Sequence, residues 1–191
     1  MFIPSIIETV GRSQKAFDLP TKLLQDRIIY LGGEITQQVS DIIIMQMLWL
    51  NSDNSDKPIG LYINSIGGDI YSGLAIKDIM NSVDCKVNTV GLGMCASMGA
   101  YLLAAGTGIR KATKNCRIMI HSVSSGMKGT FQDLEVNYKE TQYLQDKMLN
   151  DFSIFSKGKC IKQTFEALVE RDFFMSPNEA IDYGLIDGVI T

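Results

Sequence analysis

Lys86-Val87-Asn88-Thr89-Val90-Gly91-Leu92-Gly93-Met94-Cys95-Ala96-Ser97-Met98-Gly99-Ala100-Tyr101-Leu102-Leu103-Ala104-Ala105 is the stretch on which the fold turns. From Val87 to Ile109 the chain carries no charge over 23 residues, long enough for a membrane helix. Five glycines lie within it, together with Asn88, Thr89, Ser97 and Thr107, and these weaken the transfer energy that insertion needs. A buried strand, Lys86 to Leu92, running into a buried helix, Ser97 to Ala105, fits better.

The same rhythm extends to either side. Short β-rich apolar runs at Ile28–Leu31, Ile59–Ile63, Arg117–Ile120 and Leu185–Ile190 alternate with helical patterns at Gln37–Leu50 and Asp69–Val83. That alternation predicts an α/β fold. Ser176-Pro177-Asn178-Glu179 forms a capping box for a short helix to Tyr183, stopped by Gly184. Phe131 to Lys157 reads as one long charged helix with Leu134, Tyr138, Met148, Phe152 and Phe155 on a single stripe. The middle of that stripe is polar, at Thr141 and Gln145. Such a stripe fits either an ordinary core-facing helix or one that projects and packs on another subunit.

With 191 residues and no Pro/Gly-rich linker or repeat, the chain reads as one domain, able to bury roughly 70% of its unfolded surface. A net charge of −3, with 46% hydrophobic and 20% charged residues, excludes a disordered or polybasic chain, and binding to nucleic acid through phosphate contacts is not expected. Cys85, Cys95, Cys116 and Cys160 lack any Cys-x-x-Cys spacing and read as buried thiols of a reducing cytosol. The single histidine makes a zinc site of the usual kinds unexpected. Met1 to Glu8 has no cationic region ahead of its proline and glutamate, so no signal peptide is expected there.

Three segments could carry chemistry. Gly91 to Ala100 crowds small residues between strand and helix, which makes Ser97 either a nucleophile on a tight turn or simply the cap of its helix. The glycine expected two residues before an α/β-hydrolase serine is Cys95 here. The segment also matches G-x-G-x-x-A, but no Asp or Glu occurs from Cys85 to Gln132 to hold a ribose, which argues against a dinucleotide site. Asn64-Ser65-Ile66-Gly67-Gly68 is either a tight turn or a place where backbone amides approach a ligand closely. His121 follows an apolar strand and is the one imidazole available as a base for Ser97. A carboxylate to orient it must come from 21 Asp and Glu residues, and spacing does not choose among them.

Taken together, the segments resemble the proteolytic subunit of ATP-dependent Clp protease. The resemblance runs from Ile3-Pro4-Ser5-Ile6-Ile7-Glu8 through Leu61-Tyr62-Ile63-Asn64-Ser65, Ala96-Ser97-Met98-Gly99-Ala100 and Ile118-Met119-Ile120-His121 to Arg171-Asp172-Phe173-Phe174-Met175-Ser176 and Tyr183-Gly184-Leu185-Ile186-Asp187. It implies a spiral of ββα units shared with crotonases, in a single domain over 1–191. Residues 1–18 would form an axial segment, and residues 124–158 would hold a protruding handle helix. By the same resemblance Ser97 is nucleophile, His121 general base and Asp172 orienting acid, with the amides of Gly68 and Met98 as oxyanion hole. Substrate would lie along Gly68, Asp69, Ile70, Val123 and Ser124.

The resemblance further implies a cytoplasmic serine endopeptidase that cuts unfolded polypeptides without a cofactor or metal. It would work inside two stacked heptameric rings, of itself or with a paralogous subunit, fed by a separate AAA+ Clp ATPase. The chain contains no Walker A sequence of its own. Other readings of the same residues are a mainly architectural ring subunit of low intrinsic activity and a crotonase-like acyl-CoA enzyme. The sequence departs from the family's habit at Gly60, Ile66, Ser122, Val123, Glu170 and Gly11-Arg12-Ser13-Gln14-Lys15. Substrate-lining turns, ATPase docking and ring contacts are where those departures fall.

Overall fold

The computed structural model describes residues 5–10 and 13–190. Part of the amino-terminal segment 1–18, including Gly11 and Arg12 of the divergent stretch, therefore lies outside the described residues. The chain begins with an antiparallel hairpin of β1 (Ser5–Val10) and β2 (Ser13–Asp18). Asp18 then caps α1 (Leu19–Gln25) by accepting the Thr21 N–H at 2.7 Å. Next come β3 (Ile28–Ile35), α2 (Gln37–Asp53), β4 (Ile59–Gly68), α3 (Ile70–Ser82), β5 (Val87–Ala96) and α4 (Met98–Ala104). The second half holds β6 (Arg110–Thr113), β7 (Arg117–Ile120), α5 (Phe131–Phe155), α6 (Lys162–Leu168), β8 (Phe173–Met175), α7 (Pro177–Asp182) and β9 (Gly188–Ile190).

The architecture is mixed α/β with a mainly parallel sheet in the order β3-β4-β5-β6-β9. Besides β4, β5 serves two partners: its first half pairs β6 through Thr89–Gly91, and its last residues pair β7 through Met94–Ala96. β8 returns antiparallel on β7. The uncharged stretch from Val87 is thus the central strand β5 and the helix behind it, α4. Val87, Thr89, Cys95 and Ala96 of the strand and every residue of α4 are buried, which is why this strand and helix carry no charge. No helix among the described residues is long and apolar enough to cross a membrane.

Several elements differ from the sequence expectation. β4 and β5 run past Ile63 and Leu92 because pairing continues through Gly68 (with Ile35) and Cys95 (with Ile118). Ser97 and Asp69 stand ahead of their helices rather than within them. The strand expected from Leu185 shortens to β9, since Leu185 and Ile186 are buried in the turn after α7. β6 escapes periodicity because its buried position is an arginine. Cys160, expected to be buried, is partly exposed, and all four cysteines are free.

Two buried polar clusters hold the layers together. Tyr101 of α4 donates to Asp151 of α5 at 2.5 Å, and its ring packs edge-on against Phe152 and Phe155, with centroids at 5.8 and 5.3 Å. Arg110, 2% exposed, grips both oxygens of Asp187 (2.7 and 3.1 Å) and donates to the carbonyls of Ala104 and Phe155. One guanidinium therefore ties β6 to the ends of α4 and α5 and to the turn before β9. Burial raises the pKa of Asp187, but bonds from Arg110 and Lys157 outweigh it and hold the carboxyl well below the usual carboxylate range.

A depressed native pKa means that the stabilisation from Asp187 is complete above the unfolded value of about 4 and is lost as pH falls below it toward the native value. Asp187→Asn leaves a buried guanidinium half-paired, at a cost of about 2–4 kcal/mol at neutral pH. Denaturant titrations of both proteins from pH 7 to pH 2 test this: the variant is expected to be less stable at pH 7 and to lose less stability below pH 4.

Candidate active site

Ser97 sits on the one-residue step between β5 and α4, with φ 53° and ψ −123°. A positive φ at a residue with a Cβ costs on the order of 1–3 kcal/mol, so its surroundings must enforce it. The Ser97 N–H donates to the carbonyl of Met119 in β7 at 2.8 Å, and its carbonyl accepts from Tyr101 in α4. The hydroxyl makes no capping bond to the helix, so the capping alternative does not describe this serine. The first-turn N–H groups of α4, that of Met98 included, have no partner within the helix.

The end of β4 packs against that step at backbone distance. A Cβ on Gly67 (φ 98°) would lie 2.7 Å from the Ser97 Cβ and 2.9 Å from the Ala96 carbonyl. A Cβ on Gly68 (φ 152°) would lie 2.3 Å from the Ile35 carbonyl, and one on Gly99 2.7 Å from that of Ser65. Ser65 accepts the Gly67 N–H at 3.0 Å and sets the turn. The glycine pair is therefore more than a turn: Gly67 lies against residues 96–98, while Gly68 lies against the backbone of Ile35 in β3.

His121 and Asp172 arrive by strand register. β7 pairs antiparallel with β8 as Ile118↔Met175, Met119↔Phe174 and Ile120↔Phe173. His121 directly follows and Asp172 directly precedes the last pair of this ladder, so both lie at the same end of it. On the other side β7 pairs β5 as Ala96↔Met119, so Ser97 and His121 leave neighbouring strands at the same end. Ser122 donates both its N–H (3.2 Å) and its hydroxyl (2.7 Å) to the carbonyl of Val169, which closes the segment carrying Asp172 onto the one carrying His121.

A small cavity of about 60 Å³ brings together Ser97, Met98, Gly68 and His121, with Ile70, Val123 and Ser124 also in its wall. An adjoining groove of about 340 Å³ continues along Gly68, Asp69, Ile70, Val123 and Ser124 toward Thr141 and Leu144 of α5. Asp172 lines a separate recess on the far side of His121. Ser97, His121, Asp172, Met98 and the residues from Gly68 to Ile70 and Val123 to Ser124 thus each border one of three recesses, with His121 common to two of them. Ser97 and His121 share no hydrogen bond in this conformation, nor do His121 and Asp172. The carboxylate of Asp69 is occupied in capping α3, accepting from the Ser72 N–H (2.8 Å) and hydroxyl (2.6 Å).

Ser122, singled out in the sequence only as a departure in a substrate-lining turn, also walls the first cavity, as do Ile120, Met148 and Phe152, to which sequence reasoning gave no place in the site. Met148 and Phe152 stood out only as members of the α5 stripe, and nothing in their spacing tells that α5 returns to this cavity. Among the divergent positions, Ile66 is 70% exposed next to the glycine pair, while the Val123 N–H donates to the Gln145 side-chain carbonyl at 2.7 Å. Among the described residues, no group of three or more His, Cys, Asp or Glu is placed to hold a metal ion.

A hydroxyl on a strained step, with an imidazole and the backbone of Gly68 and Met98 lining the same cavity, provides the components that acyl transfer by a nucleophilic side chain uses. A family model described as Clp protease matches residues 11–191, nearly the whole chain.

The contact at Gly67 is testable without reference to activity. Gly67→Ala forces a Cβ into Ser97 at a left-handed φ, and is expected to lower stability by about 1–3 kcal/mol. Gly33→Ala, also at a positive φ (82°) but with open space around the added methyl, separates backbone strain from collision in the same denaturation assay. Equal losses in the two variants would contradict the close approach.

Proposed function

This chain belongs to the Clp protease family, and from that premise we propose that it is a serine endopeptidase in which Ser97, His121 and Asp172 form the catalytic triad. The observation that carries the proposal is the meeting of Ser97, His121, Gly68 and Met98 around one cavity, with His121 and Asp172 both immediately beyond the last β7–β8 pair, Ile120↔Phe173. The Ser97 oxygen forms a bond to the peptide carbonyl carbon while the His121 imidazole takes the hydroxyl proton. The amide N–H groups of Gly68 and Met98 donate to the oxygen that becomes negative. The C–N bond then breaks, and the imidazole returns the proton to the departing amine. Water, deprotonated by the same imidazole, cleaves the ester and frees the second fragment. Asp172 holds the imidazole in the needed tautomer and stabilises its charged form.

Apo catalytic contacts are often long and tighten only when substrate is bound, so unbonded neighbours along the path fit a resting site. An extended peptide adds beside Gly68–Ile70 on one wall and Val123–Ser124 on the other, held through its backbone. Unfolded polypeptide is the substrate, a separate AAA+ ATPase delivers it, and two stacked heptameric rings enclose the chamber. The exposed half of α5, with Phe131 75% and Tyr138 57% exposed, supplies the contact between rings. The unbonded triad also favours a second reading, in which the subunit mainly builds the ring and cuts weakly until a partner aligns Ser97 and His121.

Hydrolysis of an unstructured peptide, together with labelling by a fluorophosphonate, tests both readings. Ser97→Ala is expected to abolish turnover and labelling, and Asp172→Asn to lower turnover by about four orders of magnitude with assembly intact. Turnover surviving in Ser97→Ala overturns the serine mechanism. Labelling without turnover in the isolated protein selects the second reading. Native mass measurement should give a particle many times the 21.1 kDa of one chain, and a strict monomer would contradict the ring.

A further inference from the structure

The polar centre of the α5 stripe has a specific partner. Gln145 lies midway along α5, with Thr141 and Leu144 on the groove side of it and Met148 and Phe152 on the cavity side. Its side-chain carbonyl accepts the Val123 N–H at 2.7 Å, a bond spanning 22 residues. Val123 is two residues beyond His121, in a segment without regular structure that runs to Thr130. Ser122 is tied separately, to Val169. Beyond Val123, no hydrogen bond among the described residues reaches Ser124 to Gly129, and the next is the cap of α5 at Thr130. The Gln145 contact is therefore the last polar anchor before six residues that hang free, and the first two of those, Ser124 and Ser125, line the groove.

We propose that Gln145 is a positioning residue that sets the loop wall of the substrate groove, holding the Val123 amide so that Val123 and Ser124 face an extended peptide in a fixed frame. The placement of His121 does not depend on it, because that residue is held by the β7–β8 ladder and by Ser122 on Val169. The bond also explains the sequence. An apolar side chain at position 145 would continue the stripe but leave a partly buried N–H without an acceptor. Gln145 thus acts on peptide capture more than on the chemical step. This consequence for catalysis rests on the peptidase reading, whereas the anchor itself does not.

Hydrogen–deuterium exchange with residue-level fragmentation, on the full chain, tests the anchor without requiring activity. In the wild type the Val123 amide should exchange at least tenfold more slowly than those of Ser124 and Ser125. Gln145→Leu should remove that protection while leaving Met119 and Ile120 protected, and Gln145→Glu, which keeps an acceptor oxygen, should retain it. In peptide hydrolysis Gln145→Leu should raise KM about tenfold with kcat changed less than threefold, and Gln145→Glu should restore most of the loss. Fast exchange at Val123 in the wild type, or equal loss of protection in both variants, overturns the anchor. A fall in kcat with KM unchanged overturns the assignment to peptide capture. Wild-type protein that turns over no peptide counts against the peptidase reading alone, since the exchange result stands by itself.

Discussion

The site depends on the register of one short strand. β7 has four residues, yet it pairs with the last three of β5 on one side and with β8 on the other. Because side chains alternate along a strand, a slip of one residue on either edge would turn His121 away from Ser97 or Asp172 away from His121. The register is held by buried Ile118, Ile120 and Met175, which lock the pleat, and by the Ser97 N–H bonded to Met119. Three side chains distant in sequence are thus placed by the same few ladder steps, and none of them has to be held by a bond to another.

Against that frame, the backbone of β4 is pressed onto the step at Ser97. Glycine is required at 67 and 68 both by contact distances under 3 Å and by positive φ. The strain at Ser97 and the close approach of Gly67 are two sides of one arrangement. A serine lifted off the helical path leaves its hydroxyl out of the helix cap, and the neighbouring strand end lies so close that a Cβ on Gly67 would come within 3 Å of that step. Burial of all seven residues of α4 supplies the rigidity that keeps the step from relaxing.

α5 changes environment along its length. Its carboxy-terminal half is core, with Met148, Leu149 and Phe152 buried and Asp151 bonded to Tyr101, while Phe131, Val136 and Tyr138 are exposed. The change falls at Thr141–Gln145, alongside the segment that leaves His121. The polar interruption of the stripe marks the place where the helix passes from solvent to core and borders the groove. The core-facing reading therefore describes its carboxy-terminal half, whereas its amino-terminal half is exposed.

The alternation of strands and helices, the uncharged central strand and helix, the capping box at Ser176 and the length of α5 could all be read from the residues, because each is set by local periodicity or by contacts three or four positions apart. The family resemblance likewise rests on short motifs in order, and it singled out Ser97, His121 and Asp172 before any geometry was known. The residues alone could not bring Asp172 beside the segment of His121, separate a helix cap from a non-capping hydroxyl at Ser97, foresee β6 around a buried arginine, or connect Gln145 to Val123. Each of those is decided by groups brought together across tens of positions, and such meetings are fixed by strand register and helix packing, which leave no periodic trace in the chain.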